Sequence, residues 1–286
     1  MTIAVTGATG HLGRLAVEAL LTRGVAAGDI VAAVRSPEKA ADLSARGVQV
    51  READYTKPDT LATAFSGVRR LLLISSSEVG QRLAQHKNAI DAAKAAGVDL
   101  IAYTSILRAR TSPMKLAAEH KATEEAIEES GLTYTFLRNG WYVENYTENL
   151  APALQFGAIL GSAGDGRIAA ATRADYAEAA AAVIAGEGHE NAVYELGGSV
   201  PFTMSDVAAE VSRQSGREVV YRDLPPSEYV KALVDAGLPE GFAEILADSD
   251  VNVARGHLDT DSVDLSRLIG RPSTPLADAV AVALKE

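Results

Sequence analysis

Residues 7–13 read GATGHLG. They stand between a short apolar, β-branched run, TIAVT, and a stretch with helical spacing, HLGRLAVEALLTRG. Few chain paths satisfy that order. A buried strand ends at Gly7, the chain turns tightly, and a helix follows at once. The three glycines do different things. Gly7 permits the turn, Gly10 lets backbone approach a pyrophosphate, and Gly13 allows the helix to pack closely on the strand. The start of the helix offers amide donors and positive potential to phosphate. Ala8, Thr9, His11 and Leu12 complete the loop and join the glycines as dinucleotide-binding candidates, with His11 placed to touch phosphate. The spacing is G-x-x-G-x-x-G, not G-x-G-x-x-G. The placement of the loop between strand and helix therefore carries more weight than the glycines alone.

The same alternation continues. DIVAAVR reads as a second strand, and SPEKAADLSARG as a helix with Ser36 as N-cap, Pro37 in its first turn and Gly47 at its stop. VQVREADY is a third strand, and a helix runs from Pro58 to about Phe65. RRLLLISSS, QRLAQHKNAIDAAKAAG and VDLIAYTS read as strand, helix and strand. A helix starting at Ser112-Pro113 leads to a sixth strand, LTYTFLRNG. Strands alternating with helices mean βαβ units, and right-handed crossovers make the fold a Rossmann-like, doubly wound parallel sheet of the α/β class.

The rhythm weakens near residue 140. The runs YELGGS and EVVYRDL, and helices from Met204 to about Ser215 and near 226–236, 239–247 and 275–285, do not continue it. The expected division is a dinucleotide-binding domain over 1–140 and a smaller C-terminal α+β lobe over 141–286. The lobe covers the carboxyl ends of the strands, and some of its segments are free to return to the first domain.

Composition narrows the partners. A net charge of -11 over 286 residues argues against nucleic acid, whose phosphates need a concentrated basic surface, and against anionic membranes. With no cysteine there are no disulfides and no thiol chemistry, and a zinc site is not expected. His86, His189 and His257 read as surface or helix-face residues, and no histidine–carboxylate cluster has metal-ligand spacing. No basic segment precedes an apolar run at the N-terminus, and no run reaches the roughly 18 apolar residues of a membrane helix. A soluble, cytoplasmic, metal-free protein is expected; whether it forms a homo-oligomer stays open.

The end of the second strand selects the dinucleotide. An NAD site usually places an acid there for the ribose 2′-hydroxyl. Here the residue is Arg35, which cannot accept that proton but pairs well with a 2′-phosphate. The expected cofactor is NADP(H), with Arg14 and Lys39 adding positive charge. Asp54, after the third strand, reads equally as an adenine neighbour or a turn residue.

LLLISSSEVGQR (71–82), IAYTSILRARTSP (101–113), LRNGWYVENY (137–146) and AGDGRIAAATRADYA (163–177) carry a family resemblance, together with the glycine loop. The chain resembles the atypical, NmrA-like branch of the short-chain dehydrogenase/reductase superfamily over essentially its full length. It is most similar to the quinone-reducing members and somewhat less to those that reduce triphenylmethane dyes. The resemblance implies flavin-free, NADPH-dependent reduction of quinones. It sets Ser75, Ser76 and Ser77 along the ribose and nicotinamide side of the cofactor, although a loop that caps the next helix reads equally well. Thr104 and Ser105 carry the same ambiguity. In NGWYVE, Asn139 and Gly140 offer an amide and close backbone approach, and Val143 and Glu144 continue the segment. The resemblance favours Trp141 and Tyr142 as pocket aromatics for cofactor and quinone over an aromatic plug between lobes. Arg173 faces the cofactor or forms a structural ion pair, with Asp175 as cap or partner.

Most of the superfamily uses Tyr-x-x-x-Lys as its proton donor. None of the nine tyrosines has a lysine four residues on. Some NmrA-like reductases keep a lysine near the start of the fifth helix, where this chain reads EHKATE; His120 or Lys121 occupies that place approximately. Reducing a ketone makes an alkoxide, a strong base that needs a positioned acid. Reducing a quinone makes a delocalised hydroquinone anion that water can protonate. The missing tyrosine thus suits a quinone reductase. It also suits a non-catalytic sensor of NADP(H), which the branch includes.

Overall fold

A computed structural model describes residues 1–285. Six strands alternate with helices as the apolar runs require: β1 (Ile3–Thr6), β2 (Ile30–Val34), β3 (Gln49–Glu52), β4 (Arg70–Leu73), β5 (Leu100–Ile106) and β6 (Tyr134–Asn139). Between them lie α1 (His11–Thr22), α2 (Ala41–Ala45), α3 (Pro58–Ala64), α4 (Arg82–Ala95) and α5 (Lys115–Ser130). Every residue of β1, β2 and β5 is buried, as expected where helices cover both faces of a parallel sheet. In α1 the residues facing inward are Leu12, Gly13, Ala16, Val17 and Leu20, a helical stripe that packs on β1.

Past residue 140 come β7 (Trp141–Tyr142), α6 (Glu144–Thr147), α7 (Ala151–Phe156), β8 (Ala158–Gly161), β9 (Ala170–Ala171), α8 (Arg173–Ala185) and β10 (Ala192–Leu196). They are followed by α9 (Met204–Ser215), β11 (Val220–Asp223), α10 (Pro226–Asp235), α11 (Glu240–Ala254), α12 (Asp264–Ile269) and α13 (Leu276–Ala283). The main sheet has the order β3-β2-β1-β4-β5-β6-β10, all parallel. So β10, from beyond residue 140, joins the main sheet as a seventh strand beside β6. The alanines of α8 pack with α1 on one face, where α12 adds Leu265; α3, α4 and α5 cover the other face. A third core, holding Ile168, Val207, Val253 and Val280, lies mostly in the expected C-terminal lobe but also takes in Ile106 and Met114 from before residue 140; two short sheets pair β7 with β9 and β8 with β11. Among the described residues no helix is long and apolar enough to cross a membrane.

Two local expectations are corrected. α5 begins at Lys115, not at Ser112-Pro113. A residue before proline is driven out of the helical region, and the chain first makes a turn in which Arg108 takes φ 53° and receives the amides of Thr111 and Ser112. Ser36 stands at the expected boundary, but its side chain caps nothing, and Pro37–Ala40 is a 3₁₀ turn before α2.

Candidate functional site

The glycine loop crosses the carboxyl edge of the sheet between β1 and α1. Gly7 has φ +58°, a left-handed conformation that a side chain would strain. A Cβ added to Gly13 would lie 2.2 Å from the Gly7 carbonyl oxygen, so helix and turn meet there with no room for a methyl group. Gly10 donates its N–H to the Gly7 carbonyl at 2.8 Å and caps α1 with no side chain of its own. The first-turn amides of His11, Leu12 and Gly13 have no backbone partner. Free amides at the positive end of a twelve-residue helix, beside a turn with glycine at both ends, fit a pyrophosphate.

Two cavities meet at this loop. The first, about 410 Å³, contains Gly7, Thr9, Gly10, His11, Leu12 and Gly13 together with Arg35, Asp54 and Ser75–Ser77. The second, about 760 Å³, shares Thr9, Gly10 and His11 and is closed by Glu144, Arg173 and residues of α13. Ala8 is buried beneath the loop.

Arg35 projects from the end of β2 into the first cavity with a largely exposed side chain, and its Nη1 donates to Glu78 Oε1 at 3.2 Å. Lys39 lines the same cavity. Arg14 does not reach toward it freely, because its guanidinium is held by Asp42 and by the Lys39 carbonyl. Asp54 follows β3. It lines the cavity, and its Oδ1 accepts from the amide and hydroxyl of Thr56 at 2.9 and 2.8 Å. The Thr56 amide is the main reason that its carboxyl titrates below the usual range.

The Ser75–Ser77 loop is held from behind by Thr104, Arg82 and His86, the last of which the sequence places on the surface. The Ser75 amide donates to Thr104 Oγ1 at 2.9 Å. The Ser76 amide donates to His86 Nε2 at 2.9 Å, and the Ser76 carbonyl accepts from Arg82 Nε at 2.7 Å. His86 is fully buried, not a surface residue. Thr123 spends its hydroxyl proton on the Glu119 carbonyl, so His86 must donate from Nδ1 to Thr123 Oγ1, 3.0 Å away, and accept at Nε2. The ring is neutral: burial first, and then the Arg82 charge, push its pKa down to about 3. Ser105 is committed elsewhere, donating to buried Glu124 at 2.6 Å.

His120 and Lys121 reach neither cavity. His120 is buried, with Nδ1 2.8 Å from the Tyr103 hydroxyl; burial and then the Arg82 charge hold its pKa well below the usual histidine range. Successive helical residues point about 100° apart, so Lys121 faces outward and pairs loosely with Glu125 at 3.9 Å. An imidazole that stays neutral and sealed in the core is badly placed to hand a proton to a substrate.

NGWYVE lies where β6 leaves the sheet. Asn139 is buried, and its Oδ1 has no hydrogen-bond partner among the described residues. Gly140 donates to the Leu196 carbonyl, and an added Cβ would sit 2.8 Å from the Ala169 carbonyl, so its close approach is to protein backbone. Trp141 is half-buried against the lobe's core and lines neither cavity. Tyr142 meets the Tyr176 ring edge-on at 5.5 Å, and the Arg173 guanidinium lies 5.4 Å from its centroid. Val143 is buried in the lobe. Glu144 accepts the Arg173 amide at 2.8 Å through Oε1, while its Oε2 is buried without a partner among the described residues. Arg173 forms an ion pair with Glu148 at 2.7 Å and also lines the second cavity. Asp175 is buried and bonded to Thr172, Arg271 and Thr274. Among the described residues no three histidines or carboxylates converge as a metal would need.

A seven-stranded parallel sheet of this order, with free amides at α1 and an arginine at the end of β2, defines a Rossmann-like dinucleotide-binding protein. More narrowly, the chain belongs to the NmrA-like family, whose model matches residues 1–267. Quinone oxidoreductase 2 of Escherichia coli (strain K12) is 54% identical over 98% of this chain and 97% of its own. The crystal structure of an NADPH-dependent quinone oxidoreductase from Escherichia coli, complexed with NADPH, is similar with a TM-score of 0.96 at 54% identity, covering 99% of this chain and 100% of that one. Citrobacter sp. triphenylmethane reductase, complexed with NADP(H), is similar with a TM-score of 0.94 at 43% identity, over 99% and 100%. The family resemblance and the fold class expected from the sequence are borne out.

Proposed function

We propose that the protein is an NADPH-dependent quinone oxidoreductase. The observation that carries this reading is full-length likeness, at 54% identity, to an Escherichia coli quinone oxidoreductase in complex with NADPH. The chain's own residues support it. The amides of His11, Leu12 and Gly13 bind the pyrophosphate, and Arg35 with Lys39 binds the 2′-phosphate through charge-assisted hydrogen bonds. The Ser75–Ser77 loop, fixed by His86 and Thr104, borders the ribose and nicotinamide side. Asn139, with an unused acceptor at Oδ1, and Tyr142, braced by Tyr176 and Arg173, orient the reacting end.

When bound, NADPH supplies a hydride. The quinone gains that hydride and one proton, and becomes a hydroquinone. We assign no side chain as the proton's source: the delocalised anion is stable enough to form without a positioned acid and to be protonated by solvent afterwards, whereas His120 is buried and Lys121 faces outward. Transfer is direct and needs no flavin. The setting is the cytoplasm, in keeping with an acidic, cysteine-free chain. A triphenylmethane dye is a second acceptor of suitable kind, favoured by the 43% identity to the Citrobacter enzyme.

Purified protein with NADPH and a panel of quinones tests the reading through loss of reduced-nicotinamide absorbance, with dye bleaching as the parallel arm. Turnover by protein that releases no flavin on denaturation is expected. Tight NADPH binding with no oxidation by any acceptor would sink the enzyme and favour a sensor.

A further inference from the structure

The end of β2 holds an arginine, and the acid that usually stands there is absent. The structure supplies an acid from another part of the chain. Glu78, on the loop after β4, reaches Arg35 across 43 positions of sequence and accepts from its Nη1 at 3.2 Å. Its second oxygen, Oε2, accepts from Gln85 Nε2 at 2.8 Å, and Gln85 Oε1 in turn accepts from the Ser76 hydroxyl at 2.5 Å. Both carboxylate oxygens are thus in use, and the side chain is steered toward the arginine. Arg35, Glu78, Gln85 and Ser76 all line the first cavity. Asp54 is the other acid near Arg35, but its carboxylate is taken up by Thr56, with Lys57 Nζ 3.7 Å away. Glu78 alone bonds Arg35 directly among the described residues.

We propose that Glu78 is a specificity-determining residue of the 2′-phosphate subsite: it occupies Arg35 in the free protein and competes with the phosphate of NADPH for it. This rests on the reading that Arg35 receives that phosphate. A dianionic phosphate arriving at Arg35 must displace the carboxylate and then sit beside a like charge. NADH carries only a hydroxyl at that carbon. It has no charge with which to break the pair and none for Glu78 to repel. Glu78 therefore weakens NADPH selectively and narrows the preference that Arg35 creates. Because the pair is largely exposed, the effect is one of moderate size and is screened by salt.

The test is Glu78→Gln, which keeps the shape and the hydrogen bond from Gln85 but removes the charge. Dissociation constants for NADPH and NADH are measured by titration at low and at high ionic strength, in the native and Arg35→Ala backgrounds. Glu78→Gln is expected to tighten NADPH roughly threefold to tenfold at low salt and to change NADH less than about twofold. The gain should shrink as ionic strength approaches about 1 M, where the Debye length is near 3 Å. In the Arg35→Ala background it should fall, leaving only the part due to repulsion between Glu78 and the phosphate. Equal shifts for both nucleotides would overturn the proposal, because Glu78 would then act through the Ser76 loop and not through charge at Arg35. No shift at all would overturn it as well. The underlying reading fails separately, if Arg35→Ala alone weakens NADPH and NADH to the same degree.

Discussion

Glu124 and Glu78 each hold an arginine, in opposite surroundings. Glu124 is fully buried at the carboxyl edge of the sheet. It accepts from Arg138 Nε and Nη2 at 2.9 and 2.7 Å and from the Ser105 hydroxyl. Arg138 continues to Glu195 at 2.8 Å, and Glu195 accepts the Arg108 amide, so one chain of charge ties α5, β5, β6 and β10 together. Glu78 and Arg35 lie half or more exposed on the lip of the cavity, where water already solvates both partners. The buried pair can hold geometry but cannot exchange partners, because either charge left alone in the core is costly. The lip pair contributes little to stability, and for that reason a ligand can take its arginine.

The largest expected effect breaks the buried side. Glu124→Ala leaves Arg138 mostly buried with only one carboxylate, and removal of one partner from such a pair typically costs about 3–5 kcal/mol. Urea denaturation at neutral pH measures it. A loss under about 1 kcal/mol would mean that water enters the edge of the sheet and that the contrast with Glu78 is false.

Asp250 sharpens the same contrast, since it is buried and no arginine pairs with it among the described residues. Its Oδ2 accepts the Ser162 amide at 2.8 Å, but burial, the dominant cause, raises its pKa from 3.8 to about 6, and the Asp223 charge adds to the rise. The folded chain therefore binds more protons than the unfolded chain between those values. The stability from this group is complete below about pH 4 and is lost as pH rises through 6. Asp250→Asn keeps the acceptor for Ser162 without the charge. It should be more stable than the native protein at pH 7–8, by roughly 1–3 kcal/mol, and the advantage should fade toward pH 4. Thermal denaturation across that range reads it. An advantage that grows toward acid would reverse the assignment.

Arg35→Ala tests the lip. Loss of charge-assisted hydrogen bonds to the 2′-phosphate should cost about 1.5–3 kcal/mol, on the order of tenfold to a hundredfold in NADPH affinity, with NADH and the unfolding midpoint little changed. A lower midpoint of unfolding would show that the exposed pair is structural after all.

These sites differ in how far sequence alone reveals them. GATGHLG and the apolar runs are local patterns, and the strand–helix order, the turn at Gly7 and the packing at Gly13 all follow from neighbours within a few residues. Arg35 is legible because its place is set by the end of a strand that is itself a local pattern. Its partner is not, since Glu78 meets it only through the β1–β4 crossover. The same holds for His86, whose role depends on Ser76 and Thr123 converging from different elements, and for Glu124 with Arg138. The return of Ala192–Leu196 to the sheet is legible only as an option, because a five-residue strand looks the same on either sheet. The start of α5 misleads because Pro113 suits a first helical turn but also forces Ser112 out of one.

The smallest effect is expected at Lys121. Its ammonium is half-exposed and 3.9 Å from Glu125, one turn along α5. Exposed pairs of this spacing contribute about 0.3–0.5 kcal/mol at most, so Lys121→Ala should scarcely move the unfolding midpoint. It should also leave quinone turnover and NADPH affinity within about twofold, since a general acid contributes roughly 10²–10⁴ and Lys121 faces away from both cavities. His120→Gln supplies the internal contrast: it sits one residue away on the inward face, where the partner is the Tyr103 hydroxyl, so it should lower stability while sparing the chemistry. A hundredfold loss of turnover in Lys121→Ala, with folding intact, would require α5 to rotate or unwind at its first turns when NADPH binds, and would restore the lysine as proton donor.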